Sequence, residues 1–333
     1  PQMWFYDVNA KVNRTLDARN RMFFSLYSGG DHTVFNKLVK GYGMDWGNAT
    51  ATIRWNHILN DKTNVNTSAV FSNYYYKYKS LSDGLRYVWK SNMQSYQLKS
   101  DWERYQNNLL TLKGGVNLHY FTTMPGEVGK SGKDSNITPS QMPRKSLWDA
   151  ALYAEANYKF LPRFLLNAGV RLSVLHAPAS AYYAAKTFVM PEPRAELSFI
   201  PNASHRFSAS YTQAAQSIHM LTTSSVGIPS DMWMPANALL KPSVMRQLAL
   251  GYEYNFPDKE YTLSLEAYMR RTSHVVDYRK NADIFQNDWI EDEVETGSAR
   301  GCGLEFYLSK NKGAVTGWIS YTPVSYTHLR AHE

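Results

Sequence analysis

Apolar and polar side chains alternate with a period of two between Met245 and Arg271. One face of the first segment carries Leu248, Leu250, Tyr252 and Tyr254, and its other face carries Gln247, Ala249, Gly251 and Glu253. After a turn at residues 255–259, the apolar face of the returning segment carries Tyr261, Leu263, Leu265, Ala267 and Met269. Its polar face carries Thr262, Ser264, Glu266, Tyr268 and Arg270. This alternation predicts a β-hairpin with one apolar and one wet surface.

The same pattern recurs along the whole chain and predicts about fourteen strands in seven hairpins. Turns of about three to six residues alternate with connections of about fourteen to thirty, which is unusual in a compact soluble domain. The long connections are predicted at residues 29–45, 77–91, 122–146, 174–190, 214–243 and 272–298. Tight turns on one side and long loops on the other are typical of an outer-membrane barrel.

Strand length and composition also favour a sheet that crosses a membrane. A tilted spanning strand needs about nine to eleven residues, whereas soluble strands average about five to six. The chain has 24 Tyr and 9 Trp in 333 residues, and Tyr252, Tyr254 and Tyr261 cluster beside a short turn, where an aromatic girdle is expected. The mean hydropathy of −0.45 suits strands that are half polar. We predict an all-β fold, an antiparallel transmembrane β-barrel.

Charge and motifs exclude several classes of function. The formal net charge is +8, but Lys and Arg are spread along the chain, so no nucleic-acid partner is predicted. The single cysteine, Cys302, has no second cysteine for an internal disulfide. The chain has no His-Glu-x-x-His motif and no cluster of a nucleophile with a base, so we predict neither an enzyme nor a cofactor. The acidic residues 288–295 lack the ligand spacing of a calcium loop and are expected in a solvated loop.

Two sets of residues are candidates for the functional site. His219 and Trp233, in the longest connection, are residue types that line ligand mouths but also pack long loops. The second set consists of charged residues on the polar faces of strands, which are expected to face a barrel lumen. They are Arg54, Lys113, Glu155, Arg171, Glu196, Glu266 and Arg270. Opposite charges among them are expected to pair with each other or with protein that fills the lumen.

Several segments resemble TonB-dependent outer-membrane receptors, particularly the Bacteroidetes-type group. They are residues 228–235 (IPSDMWMP), 247–252 (QLALGY), 303–308 (GLEFYL), 317–322 (GWISYT) and, more weakly, 4–11 (WFYDVNAK). The resemblance implies a 22-stranded barrel closed by a plug domain, in the bacterial outer membrane. It also implies TonB-driven import of a scarce ligand such as an iron chelate (a siderophore complex), cobalamin or a glycan oligosaccharide. About fourteen strands and no plug are visible, so residues 1–322 are expected to be part of such a barrel in contact with outer-membrane lipid.

The last eleven residues, 323–333, lose the alternation. They resemble the translation of a sequencing adapter, and we expect a tail that is not native. Two other functions stay open: a passive outer-membrane porin, and a soluble all-β carbohydrate-binding protein. An outer-membrane enzyme on about ten to twelve strands is a further rival, but fourteen strands exceed that size.

Overall fold

The computed structural model describes residues 2–36, 41–82, 85–132, 135, 137–222, 232–258, 260–282 and 287–331. Nearly all of them are in strands. The first nine are β1 (Gln2–Thr15), β2 (Asn20–Asn36), β3 (Gly41–Asn60), β4 (Thr63–Ser82), β5 (Leu85–Asn107), β6 (Leu110–Lys130), β7 (Ser140–Gln141), β8 (Lys145–Leu161) and β9 (Phe164–Ala177). The others are β10 (Lys186–Phe199), β11 (His205–Gln216), β12 (Ile218–Leu221), β13 (Met232–Pro235), β14 (Ser243–Asn255), β15 (Tyr261–Tyr278), β16 (Val294–Lys310), β17 (Gly317–Tyr321) and β18 (Val324–Ala331). A 3₁₀ turn at Ile290–Glu293 precedes β16.

The strands form one large antiparallel sheet in which chain neighbours are also spatial neighbours. Its order is β1-β2-β3-β4-β5-β6-β8-β9-β10-β11-β14-β15-β16-β17, while β7 pairs with β6 and β18 pairs with β16. The short strands β12 and β13 form a separate hairpin within the connection from β11 to β14. Fourteen described strands thus lie along the main path, which confirms the predicted number and the antiparallel all-β fold.

The register of the central hairpin places its two faces as the alternation predicts. Leu250 pairs with Ala267, which pairs with Leu304, while Gly251 pairs with Glu266 on the opposite face. Leu250 is 66% exposed and Leu304 is 50% exposed. Exposed large side chains continue across the same face on the other strands, and so wide an apolar surface indicates contact with lipid or a partner. We call this surface the apolar face and the other surface the polar face.

An aromatic row borders the apolar face at the end of the sheet that carries the short turns. Neighbouring rings lie with centroids 4.6–6.3 Å apart, in stacked, tilted and edge-on pairs. The row contains Phe160, Phe164, Phe199, Phe207, Tyr252, Tyr254, Phe256 and Tyr261, with the His205 ring between Tyr252 and Tyr254. The three tyrosines predicted for a girdle are therefore part of a longer aromatic border, as expected at a membrane interface.

Several predicted connections are wrong because the strands continue into them. β2 extends to Asn36 and β3 begins at Gly41, so most of residues 29–45 is paired strand. β4 and β5 likewise remain paired as far as Ser82 and Leu85. A strand that projects beyond the apolar band has no face in lipid, so its side chains need not alternate between apolar and polar. The backbone hydrogen bonds between strands continue there, because they do not depend on the side chains. Among the described residues, no helix is long and apolar enough to cross a membrane.

Substitution of Leu250 by Arg tests the assignment of the faces. Leu250→Arg is expected to lower the free energy of unfolding in phospholipid vesicles by about 2–4 kcal/mol, because it places a guanidinium in hydrocarbon. The matched control is Ser264→Arg. Ser264 lies on the polar face of β15 and pairs with Glu253 of β14, so this substitution should lower the free energy of unfolding by less than about 1 kcal/mol. Equal costs in urea titrations would contradict the assignment.

Candidate functional site

The hairpin of β12 and β13 covers the polar face at the end of the sheet opposite the short turns. β13 packs against β6 and β8, although the chain enters and leaves this connection at β11 and β14. Leu147 and Leu175, on the polar face near this end, are each only 1% exposed. The long connection therefore folds over the polar face of the sheet.

An apolar cluster holds this covering layer together. Its buried members come from several connections and strand ends: Met142, Leu221, Met232, Met234, Leu240, Ile290 and Val294. Trp89, Val276 and Tyr278 pack against the cluster from the sheet. Because these side chains are far apart along the chain, the packing fixes several connections relative to one another.

A buried ion pair joins the first residue of β8 to three connections beside this cluster. Lys145 Nζ lies 2.5 Å from Glu291 Oε1, and the two side chains are 3% and 0% exposed. Asn237 donates from Nδ2 to the same Glu291 oxygen at 3.0 Å, and the Lys145 ammonium lies 5.8 Å from the centre of the Tyr183 ring. We call these four residues the loop junction. Glu291 corrects the expectation that residues 288–295 are a solvated loop, because its burial is stabilised by a cation and an amide.

The two predicted ligand residues lie on opposite faces of the covering hairpin. His219 pairs with Met234, and Trp233 pairs with Met220, so the His219 and Trp233 side chains point away from each other. His219 is 4% exposed, and its Nε2 lies 3.1 Å from the Lys241 carbonyl oxygen. Trp233 is half-buried beside Met220, which is 47% exposed. Of the two residues, Trp233 has the accessible surface that ligand contact requires.

Burial lowers the pKa of His219 from its ordinary value of 6.5, because the imidazolium is poorly solvated there. The hydrogen bond with Lys241 opposes this shift, and the nearby His274 adds to it. At pH values between the pKa of folded His219 and 6.5, the imidazole is therefore more often protonated in the unfolded connection than in the folded one. The stability of the covering layer is full above that window and falls as the pH drops through it.

The seven charged residues predicted to face a lumen all lie on the polar face. Lys113 of β6 pairs with Glu155 of β8, which pairs with Gly169 of β9. Arg171 is two residues beyond Gly169 and so lies on the same face. Six of the seven have defined partners. Arg54 lies over the Phe23 ring at 5.1 Å, Lys113 is 3.5 Å from Glu103, Glu155 is 2.7 Å from Arg194, Arg171 is 3.6 Å from Glu192, Glu196 is 2.8 Å from Arg206, and Arg270 donates to Gln247 at 2.9 Å. Glu266 lies opposite Glu305.

The alternation did not identify the partners of these charges. Glu103, Glu192, Arg194 and Arg206 share the polar face with them, so the sequence signal was present in the same period of two. Their pairing depends on the register between strands, which a single strand does not reveal. The result is a polar surface cross-linked by neighbouring charges.

Other concave features lie on the outside of the sheet. Shallow depressions on the apolar face are lined by side chains such as Leu197, Phe207, Leu250 and Leu304. Within the residues that the structure describes, no group of three or more His, Cys, Asp or Glu side chains could hold a metal ion.

Comparison with protein families identifies the fold. The family model described as "TonB dependent receptor-like, beta-barrel" matches residues 5–332. The chain belongs to this family. The sheet of a TonB-dependent receptor-like chain is a transmembrane β-barrel wall, which agrees with the apolar face and its aromatic border. Comparison with curated protein sequences gives no match.

Solved structures with the same fold include several iron-uptake receptors. The ferric-catecholate import receptor Fiu of E. coli K12 superposes with a TM-score of 0.68 at 12% identity, over 98% of this chain and 58% of that one. The FrpB iron transporter of Neisseria meningitidis has a TM-score of 0.71 at 12% identity, over 97% and 52% of the two chains. The ferric yersiniabactin uptake receptor FyuA of Yersinia pestis has a TM-score of 0.71 at 11% identity, over 98% and 52%. The chain thus spans a little over half the length of these receptors.

Removal of the Glu291 charge is expected to open the covering layer without unfolding the sheet. Glu291→Gln leaves Lys145 buried without a counter-charge, a defect that typically costs about 3–5 kcal/mol. Hydrogen exchange should therefore accelerate at residues 232–240 and 287–294, while β8 and β9 stay protected. Glu295→Gln, an exposed acid nearby, is the control. Equal exchange in the two variants would show that the pair does not hold the layer.

The lowered pKa of His219 predicts that the covering layer loosens in acid. Protection factors of the β12 and β13 amides should fall as the pH drops below 6.5 and towards the lowered pKa of His219, because the buried imidazole is forced to take up a proton. His219→Gln should remove most of this dependence, whereas His176→Gln, at an exposed position, should leave it unchanged. If the protection factors of His219→Gln still fell with pH, another titratable group would be responsible for the loosening.

Proposed function

We propose that the chain forms part of the barrel of a bacterial outer-membrane receptor that imports a scarce ligand with energy supplied through TonB. The observation that carries the proposal is a barrel of this family whose long connections fold over the polar face. A passive pore does not require a layer fixed by a buried ion pair and an apolar cluster. A receptor does, because its connections must capture a ligand at the mouth.

In this proposal the apolar face contacts outer-membrane lipid and the polar face lines the lumen. The seven charged residues then belong to the lumen wall, where ion pairs such as Glu155–Arg194 stabilise the wall. Two members are best suited to contact a plug domain. Among the described residues, the Glu266 carboxylate has no cationic partner, and the Arg270 guanidinium contacts only the neutral Gln247 and the Tyr268 ring. TonB would act through that plug, and the chain itself would have no catalytic role.

An iron chelate is the ligand class that the comparisons favour, since Fiu, FrpB and FyuA are described as receptors or transporters for iron or its chelates. Cobalamin and oligosaccharides are the other classes to be tested. Trp233 and Met220 form the accessible side of the covering hairpin, and a flat aromatic ring beside a thioether suits an aromatic or apolar chelate. His219, on the buried side, would act only as a packing residue.

Uptake assays with labelled ligands test this function. A strain that lacks the native locus should lose uptake of one ferric chelate under iron limitation, and the intact locus should restore it only when TonB is present. Trp233→Ala should raise the chelate concentration for half-maximal uptake about 10-fold or more, as loss of a binding aromatic does. Trp102→Ala, on the apolar face, is the control.

The alternative is a passive porin. In that case small solutes would enter at the same rate with and without TonB, and Trp233→Ala would have no effect on the concentration dependence. Either result would overturn the receptor proposal. Uptake of cobalamin or an oligosaccharide in place of iron would retain the receptor and change the ligand class.

A further inference from the structure

Three arginines form a row across the apolar face. Arg246 of β14 pairs with Arg271 of β15, which in turn pairs with Arg300 of β16. All three side chains are exposed. Two residues nearer the short turns, the same three strands present Leu248, Met269 and Cys302 in register. The row is therefore a strip of positive charge directly beside an apolar surface.

Nothing within the described part of the chain neutralises this charge. Like charges directly opposite one another on neighbouring strands destabilise a sheet. Arg246 donates to the side chain of Gln213 at 2.8 Å, which is a neutral partner. The register neighbour of Arg246 on β11 is Gln213. The register neighbour of Arg300 on β18 is Thr327, which lies in the segment expected not to be native. Neither neighbour is an acid. Three arginines of the polar face differ, since Arg171, Arg194 and Arg206 each lie beside a glutamate.

The row lies where the apolar band ends. Arg271 is ten residues from Tyr261 of the aromatic row along β15, a distance of about 33 Å on the strand and about 25 Å along the normal at a tilt of about 40°. That height equals the typical thickness of the apolar band of an outer-membrane barrel. The arginines are thus placed at the level of lipid head groups, on the side of the long connections.

The surface at this place is a groove. Its volume is about 600 Å³, and the arginines line it together with Leu248, Met269 and Cys302, while Ser325 and Thr327 of β18 close one side. One end of the groove presents guanidinium groups and the other presents apolar side chains. A ligand that fits must therefore be anionic at one end and hydrocarbon at the other.

We propose that Arg246, Arg271 and Arg300 bind the phosphate-bearing head group of a lipid in the outer leaflet, with an acyl chain lying over Leu248 and Met269. Arginine suits this role because its planar guanidinium bonds two oxygens of one phosphate and stays charged. A phosphorylated lipid supplies the missing negative charge and covers the apolar end of the groove, which free phosphate cannot do. The three arginines belong to β14, β15 and β16, so the row of guanidinium groups does not depend on residues 323–333, which supply only Ser325 and Thr327 to one side of the groove. The inference rests on the proposed outer-membrane location.

The test uses the protein encoded at the native locus, expressed in the outer membrane and purified in a neutral detergent. The probes are lipid A with its phosphates, the same lipid with the phosphates removed, and inorganic phosphate. The test variant is the triple substitution Arg246→Gln, Arg271→Gln and Arg300→Gln. The control carries Arg14→Gln, Arg19→Gln and Arg163→Gln, which remove the same charge from exposed positions at the short-turn end.

Phosphorylated lipid A should raise the melting temperature of the native protein and of the control, and the test variant should bind it about 100-fold more weakly. This factor follows from about 1 kcal/mol per basic residue at a lipid surface. The inference is wrong if the dephosphorylated lipid or inorganic phosphate stabilises the protein equally, or if the test variant and the control bind alike. Absence of the native protein from the outer membrane would instead refute the location on which the inference rests, and membrane fractionation reports that separately.

Discussion

The constraint on which this structure depends is that lipid offers no hydrogen bonds to a peptide backbone. Each amide that crosses the apolar band must be paired with a neighbouring strand, because an unpaired group there costs several kcal/mol. The nearest-neighbour order of the strands meets this requirement with short turns and long registers, such as the twenty-residue ladder between β4 and β5. The alternation of side chains follows from the same constraint, since a paired strand in a membrane wall has one face in lipid and one in water.

Charged side chains are distributed differently on the two faces of the sheet. On the polar face, carboxylates and guanidiniums neutralise each other within contact distance, as Glu196 and Arg206 do. Such pairs are partly exposed and contribute little stability individually, but they compensate much of the charge on the wall. On the apolar face, charge is confined to the margins, and the row of three arginines marks one margin. The buried pair of Lys145 and Glu291 serves a third purpose, because it fixes connections that would otherwise be solvated.

The sequence predicts the sheet better than it predicts the covering layer. Alternation at Leu248, Leu250 and Leu304 reports the local contact of each residue with lipid, so it identifies strands and faces directly. It fails at residues 77–82 and 85–91, where both faces lie outside the apolar band and the period disappears while the ladder persists. The loop junction could not be predicted, since Lys145 and Glu291 are 146 residues apart and meet only through tertiary folding. The arginine row is visible in the sequence only once the register between β14, β15 and β16 is known.

The most direct test of the central claim, that one face of this sheet meets lipid and the other meets water, is a spin-label walk along β16. In a Cys302→Ser background, nitroxides would be attached to single cysteines introduced at positions such as Leu304 and Glu305, with the protein in bilayers. The account predicts that labels at even positions from 302 to 306 collide with oxygen dissolved in lipid, whereas labels at odd positions collide with a water-soluble nickel complex. Equal exposure to both relaxants, or the opposite periodicity, would contradict it.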